Sequence, residues 1–263
     1  MRLLNEVINN PKAILLAGAP GSGKGSILSG LNLNGLKMFN LDDMIIALSK
    51  ADGFSLDQKN ANAEDRSKFM VAMQAATKNL KNEVIPQAII NRDSFILDGT
   101  SASVKQTTLL KDQLEEAGYN VLMLYVYADL EDVLKRNQER FKLSGGTDRS
   151  LTPAAVYSTW ADVTKNFDVY KEMFGNNFVP VSTAGKTETM NDVSKILQTY
   201  ITPFLPKDPK PKTEKEIARS SQQKRELNAE VQSILSSNRL KNIINVSVSK
   251  EQAQSKINSF LGK

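Results

Sequence analysis

The chain of 263 residues contains neither cysteine nor histidine. Without cysteine it cannot form disulfides, use a thiolate nucleophile or build a cysteine-ligated zinc site. Because histidine is missing as well, proton transfer near neutral pH falls to carboxylates, lysine or tyrosine, and a catalytic metal has to be a hard ion held by oxygen atoms. Magnesium bound together with phosphate groups fits this inventory.

Long apolar runs are also missing. No segment approaches the roughly 18 consecutive apolar residues of a membrane span. The first ten residues include an acidic residue and lack the apolar block of a secretory signal. We therefore expect a cytoplasmic protein with no membrane partner.

A glycine-rich motif follows the first apolar run. Residues 13–17 predict a buried strand, and the motif after it matches G-x-x-x-x-G-K, in which backbone N–H groups and the lysine bind phosphate oxygens. The usual loop has Ser or Thr after the lysine; here Gly25 takes that place and Ser26 offers a hydroxyl one residue later. The motif predicts a nucleoside triphosphate site made of Gly18, Ala19, Pro20, Gly21, Ser22, Gly23, Lys24, Gly25 and Ser26.

Five apolar segments alternate with helical patterns along the chain. This alternation is typical of an α/β fold in which helices cover both faces of a parallel sheet and ligands bind at the carboxyl ends of the strands. We expect three layers around a five-stranded parallel sheet. The predicted strands are 13–17, 37–40, 94–97, 119–127 and 177–182, and the predicted helices are 23–31, 42–49, 60–91, 102–117, 129–142, 153–174 and 188–202.

Acidic residues follow two of the predicted strands. Asp42 and Asp43 come after strand 37–40, and Asp98 comes after strand 94–97. A carboxylate next to a phosphate loop can take the proton of an attacking hydroxyl, but Asp is also a preferred helix N-cap, so both interpretations of Asp42 stay open. Asp98 suits magnesium binding, directly or through water and together with Ser26; the alternative is a simple Asp-Gly turn.

Three arginines form the last candidate group. Arg136 and Arg140 share a helix face, and a glycine-containing loop leads from them to Arg149. Such guanidinium groups can close over a nucleotide and stabilise charge on the transferring phosphoryl group. The alternative is a solvated helix on which Arg136 pairs with Asp132.

Taken together, the motifs at 18–26, 40–43, 96–100 and 136–140 resemble the P-loop kinase group that includes zeta toxins and polynucleotide 5′-hydroxyl kinases, with a phosphate loop like that of adenylate kinases. The resemblance covers about residues 12–202 and implies a P-loop kinase fold with ATP and Mg²⁺ as cofactors. It also implies roles for individual residues: Lys24 on the phosphates, Asp42 as the general base, and Arg136, Arg140 and Arg149 as lid residues.

Two departures from these families concern the acceptor. In the zeta toxin group the Asp pair is often followed two residues on by an arginine that binds acceptor phosphate, and this chain has Ile45 there. Adenylate-kinase-type enzymes have an arginine shortly after the Asp-Gly of the third strand, whereas this chain continues from Thr100 with Ser-Ala-Ser. We expect a phosphotransferase that acts on a hydroxyl of a small molecule or of a polynucleotide end.

The carboxyl-terminal part differs in composition. Residues 207–263 hold 12 Lys+Arg against 6 Asp+Glu, whereas the rest of the chain is nearly balanced. A proline-rich stretch at 203–212 predicts a linker, which divides the chain into a kinase-like domain at 1–205 and a small, mainly helical appendage at 206–263.

Two amphipathic helices are expected in this appendage. The first is predicted at 213–236; the second begins after Ser249, which forms a capping-box pattern with Gln252 and precedes an apolar stripe. These helices need a docking surface, which the kinase-like domain, a second copy or another protein could supply. The apolar stripe of the second helix consists of Ala253, Ile257, Phe260 and Leu261.

The basic tail suggests an alternative function: a nucleotide-binding scaffold whose tail docks to a protein assembly or nucleic acid.

Overall fold

The computed structural model describes residues 10–184 and 238–262, together with residues 222, 225, 226, 229, 230, 233 and 234. The helix predicted at 188–202 and the linker at 203–212 lie outside the described residues, as does most of the helix predicted at 213–236.

All five predicted strands are present and form one parallel sheet. Their order is β2-β3-β1-β4-β5, so the first strand lies in the middle. This confirms the five-stranded parallel sheet and the α/β fold. The strands are β1 (Lys12–Ala17), β2 (Lys37–Asn40), β3 (Phe95–Asp98), β4 (Asn120–Tyr127) and β5 (Phe178–Ser182).

Helices connect the strands and cover the sheet. Two short turns accompany them, a π-helical turn at Leu80–Val84 and a 3₁₀ turn at Gly175–Asn177. The helices are α1 (Lys24–Leu28), α2 (Leu41–Asp52), α3 (Ala63–Asn79), α4 (Ile85–Ile90), α5 (Val104–Glu116), α6 (Leu130–Leu143), α7 (Pro153–Lys165), α8 (Phe167–Phe174), α9 (Arg239–Val246) and α10 (Lys250–Leu261).

Both faces of the sheet are buried, which makes three layers. On β1, Ala13, Leu15 and Ala17 face a core that includes residues of α4 to α9, whereas Ile14 and Leu16 face a second core that includes residues of α1 and α10. Because successive side chains of a strand point to opposite faces, a strand buried on both sides must be apolar throughout.

A third, smaller core joins α2 to α3. Phe54 and Phe69 are buried in it, and Phe141 and Leu151 pack against it from α6 and from the loop before α7. This core therefore connects the helix that carries Asp42 to the segment between Arg140 and Arg149.

Four predicted helices differ in extent from those observed. The helix predicted at 42–49 is longer and runs over Leu41–Asp52. The predicted helix 23–31 ends at Leu28, and the stretch 60–91 begins at Ala63 and passes through the π-helical turn into α4. The predicted helix 153–174 is two helices that meet at Asn166, whose side-chain amide donates to the Ala102 carbonyl at 2.8 Å. That tertiary contact is invisible to a local pattern.

The described part of the tail docks on this chain's own sheet. Leu240 and Ile243 of α9, a helix that we did not predict, are buried in the first core, and Ala253 and Ile257 of α10 are buried in the second. The predicted capping box is present at the start of α10. Within the described ranges, no helix has both the length and the apolar composition needed to cross a bilayer.

Replacing Ile257 by Ala should destabilise the whole fold. This side chain is 0% exposed, so truncation leaves a cavity and should lower the free energy of unfolding by about 2–5 kcal/mol. Ile90 is 73% exposed, and Ile90→Ala is the matched control, with a change within about 0.5 kcal/mol. Chemical denaturation measures both; equal losses would mean that α10 does not belong to the cooperative core.

Candidate active site

The carboxyl ends of β1, β2 and β3 open into a cavity of about 660 Å³. Four cationic side chains and three carboxylates line it, and most of them belong to the motifs singled out in the sequence. The lining residues are Pro20, Gly21, Gly23, Lys24, Gly25, Asn40, Leu41, Asp42, Asp98, Gly99, Thr100, Arg136, Arg140, Leu143, Ser144, Asp148 and Arg149.

The glycine-rich loop runs from β1 into α1 and requires glycine at two positions in particular. Gly18 and Gly21 have φ values of +153° and +89°, which L side chains rarely adopt. A Cβ at Gly18 would lie 2.6 Å from the Val126 carbonyl oxygen, and one at Gly21 would lie 2.5 Å from that of Val133. The loop can therefore pass close to β4 and α6 only because these residues lack side chains.

Lys24 folds back over the loop. Its ammonium donates to the carbonyl oxygens of Gly18 at 3.0 Å and Ala19 at 3.4 Å. Burial lowers the pKa of Lys24 below its ordinary value, although the nearby carboxylates of Asp98 and Asp42 oppose this shift. The lysine thus lies between the loop and two carboxylates, at the point where the motif places phosphate oxygens.

Asp42 accepts hydrogen bonds from two arginines that are distant in sequence. Arg149 Nε donates to Oδ1 at 2.6 Å, and an Arg140 terminal nitrogen donates to Oδ2 at 3.3 Å. Arg140 Nε is bonded in turn to Asp148. The carboxylate on α2 therefore holds together both ends of the segment from Arg140 to Arg149.

The helix-capping interpretation of Asp42 is wrong, because Asn40 is the N-cap of α2. The Asn40 side-chain oxygen accepts from the Asp42 N–H at 2.8 Å, and its amide nitrogen lies 3.4 Å from Asp98 Oδ2. Asn40 therefore links the two acidic turns at the edge of the sheet.

Asp98 lies at the end of β3, within the cavity. Burial raises the pKa of its carboxyl group above the usual range; Lys24 opposes this shift and Asp42 adds to it. Asp98 and Asp42 therefore lie in one cavity, where the nearby cations Lys24, Arg140 and Arg149 offset the repulsion between the two carboxylates.

Arg136 lines the same cavity from α6. One of its nitrogens donates to Asp132 at 2.9 Å, which is the pairing considered as an alternative in the sequence. Another nitrogen lies 3.3 Å from both the Gly21 carbonyl oxygen and Thr183 Oγ1. Arg136 therefore makes the local ion pair and also touches the phosphate loop.

Some predicted site residues lie apart from the cavity. Ala19 and Ser22 are buried within the loop, whereas Ser26 and Asp43 are exposed, and none of these four lines the cavity. Asp98 is therefore better placed for a metal than Ser26. Among the described residues no three Asp or Glu side chains come together as a metal cluster.

Sequence reasoning missed several residues that support this site. The capping role of Asn40 could not be predicted, because Asp42 is an equally good capping residue. Ser150 is fully buried next to Arg149, and its hydroxyl donates to Asp57 while its backbone bonds to Leu56 and Gln58. No local pattern could reveal that contact.

The fold and this site define a P-loop kinase. A protein-family model described as zeta toxin matches residues 4–183, and the chain belongs to that family. It is therefore an ATP-binding phosphotransferase in the broad sense. A search of curated protein sequences finds no match.

Two solved structures illustrate the likeness. The PezAT toxin–antitoxin system of Streptococcus pneumoniae is 15% identical, with a TM-score of 0.44 over 86% of this chain and 88% of that chain. A structure of AvrRxo1-ORF1:-ORF2 with ATP is also 15% identical, with a TM-score of 0.49 over 96% of this chain and 76% of that chain.

Replacing Gly21 by Ala should destabilise the folded loop by at least about 1–2 kcal/mol, because the new Cβ meets the Val133 carbonyl at a positive φ. Gly25→Ala is the matched control: nothing lies within 4 Å of its added Cβ, and alanine favours a helix, so stability should stay or rise by about 0.5–1 kcal/mol. Denaturant unfolding without nucleotide compares the two; a Gly21 variant as stable as the Gly25 variant would contradict the close approach of loop and α6.

Proposed function

We propose that this chain transfers the γ-phosphoryl group of ATP to a hydroxyl of a small molecule or of a polynucleotide end, with Asp42 as general base. The observation that carries the proposal is the placement of Asp42 in one cavity with Lys24, Asp98 and three arginines. Phosphoryl transfer depends mainly on positioning and on charge stabilisation, and these residue types supply both.

The nucleotide would bind along the glycine-rich loop. Backbone N–H groups of residues 18–26 would cradle its phosphates, and Lys24 would exchange its bonds to loop carbonyls for bonds to phosphate oxygens. Arg136, Arg140 and Arg149 line the same cavity, where they would stabilise negative charge on the transferring group.

Magnesium fits the oxygen chemistry of the site. Magnesium is commonly held by one or two carboxylates plus substrate phosphates, so Asp98 suffices as a protein ligand, and Ser26 would need water or a local shift to take part. Bound beside Asp98, magnesium would supply positive charge against the phosphates. Asp98 is the residue that would orient it.

The hydrogen bonds of Asp42 link its role as general base to the positions of Arg140 and Arg149. Both of its oxygens accept from guanidinium groups, so the acceptor hydroxyl would use a remaining lone pair of one oxygen or displace Arg149 from Oδ1. A γ-phosphate attracts the same guanidinium groups. The acceptor oxygen then attacks the γ-phosphorus, the bond to the β–γ bridging oxygen breaks to release ADP, and the hydroxyl proton passes to Asp42.

The surroundings of the cavity support an acceptor without phosphate at its reacting end. Ile45, at the place where related kinases often carry an arginine, is buried in the core between α2 and α3. A second, largely apolar cavity of about 340 Å³ shares Gly99 with the first and lies between the π-helical turn and α5. It offers room for an uncharged part of the acceptor.

The scaffold alternative draws less support from the described residues. The apolar faces of α9 and α10 are buried in the cores of this chain, so they are not available to a partner without unfolding. The basic composition of residues 207–263 remains the feature that favours it.

Asp42→Asn should lower phosphoryl transfer by about 10²–10⁴-fold because the variant cannot accept the hydroxyl proton. ATP should bind at least as tightly, since one negative charge beside the phosphates is removed. Transfer of labelled γ-phosphate to a panel of sugars, nucleosides and 5′-hydroxyl oligonucleotides measures the effect. The exposed neighbour provides the control, Asp43→Asn, which should retain wild-type turnover. Full turnover in Asp42→Asn would place the base elsewhere.

Lys24→Ala should abolish both ATP binding and transfer, because the ammonium is the cation closest to the loop. Titration with ATP and the same transfer panel check this. A wild-type chain that binds ATP, phosphorylates nothing in the panel and recruits a partner through residues 207–263 would instead support the scaffold.

A further inference from the structure

The last helix touches the phosphate-loop helix directly. The Lys250 ammonium donates to the Ser26 carbonyl oxygen at 3.3 Å, across 224 residues of sequence. The Asn32 N–H, just beyond α1, donates to Gln254 Oε1 at 2.7 Å. Two successive turns of α10 therefore bond to α1 and to the loop that follows it.

The helix α1 lacks the usual features that stabilise a short helix. It has five residues, no side-chain cap at its amino end and no basic residue in its last turn. The last carbonyl groups of a helix carry partial negative charge. In α1 the Ser26 carbonyl already accepts from Ser29 Oγ at 3.1 Å, but that neutral hydroxyl brings no positive charge to the helix end. Lys250 supplies from the tail the cation that this helix end lacks.

Gly30 leaves space for that contact. A Cβ at this residue would lie 1.7 Å from the Lys250 ammonium nitrogen, so any larger residue displaces the end of the lysine. The lysine therefore occupies a defined place against the end of α1.

Contacts on either side of Lys250 fix its position in the fold. Ser249 caps α10 immediately before it, and the Val248 N–H donates to the Pro180 carbonyl at the edge of β5 at 2.8 Å. Ala253 and Ile257 then anchor the helix in the same core that holds Ile27 of α1.

We propose that Lys250 is a positioning residue for nucleotide binding: from the last helix it holds α1 and hence the phosphate-binding loop in place. The proposal rests on the binding of ATP at this loop. The tail thereby contributes to the nucleotide site from outside the cavity, through Ser26 of α1, which is not one of the lining residues.

The test compares three lysine variants by titration with ATP and magnesium. Lys250→Met should weaken ATP binding by about two- to fivefold, as expected for the loss of one cation at a helix end, and Lys250→Arg should restore it. Lys256 lies exposed on the same helix, and Lys256→Met should bind ATP like the wild type. Thermal unfolding without nucleotide should show one cooperative transition in all three, with Lys250→Met melting at most slightly below the other two.

A double-mutant cycle sharpens the assignment. Gly30→Ala should weaken ATP binding as Lys250→Met does, and the two changes together should be no worse than either alone, because both remove one contact. Wild-type affinity in Lys250→Met, or equal weakening in Lys256→Met, would overturn the proposal. Failure of the wild type itself to bind ATP would instead count against the kinase function.

Discussion

The structure depends on the complete burial of β1 in the middle of the sheet. This strand pairs with β3 on one side and β4 on the other, and its side chains enter both main cores. Neighbouring strands and the two cores therefore fix the position of its carboxyl end. The chain leaves the strand at Gly18, whose φ is positive. The phosphate loop begins at this fixed strand end and passes close to the carbonyl groups of Val126 and Val133.

A second constraint is the concentration of charge at that edge of the sheet. Asp42 and Asp98 lie among Lys24, Arg140 and Arg149. Burial lowers the pKa of Lys24 and raises that of Asp98, and each of these two groups opposes the shift of the other. Removing a partner from such a cluster leaves an uncompensated charge that is partly shielded from water. The bonds from Arg149 and Arg140 to Asp42, and from Arg140 to Asp148, join these charges in one network.

Much of the fold was predictable because its causes are local. A parallel strand buried on both faces is an apolar run, so all five strands could be recognised, and the glycine-rich motif specified its own loop. The cap of α2 at Asn40 could not be separated from Asp42, since both residue types suit that position. The bond between Ser150 and Asp57 joins segments far apart in sequence and left no periodic signal.

The tail shows how composition and packing can disagree. Its charge balance and the prolines before it indicate a separate appendage, and a domain boundary near residue 206 stays a prediction because the chain there lies outside the described residues. Yet α9 and α10 flank β5 on opposite faces of the sheet. Pro180 in β5 has no N–H to donate, which suits an edge strand, and its carbonyl accepts from Val248 of the tail. The excess of basic residues is thus a property of the sequence, whereas the apolar residues of α9 and α10 complete the cores on both faces of the sheet.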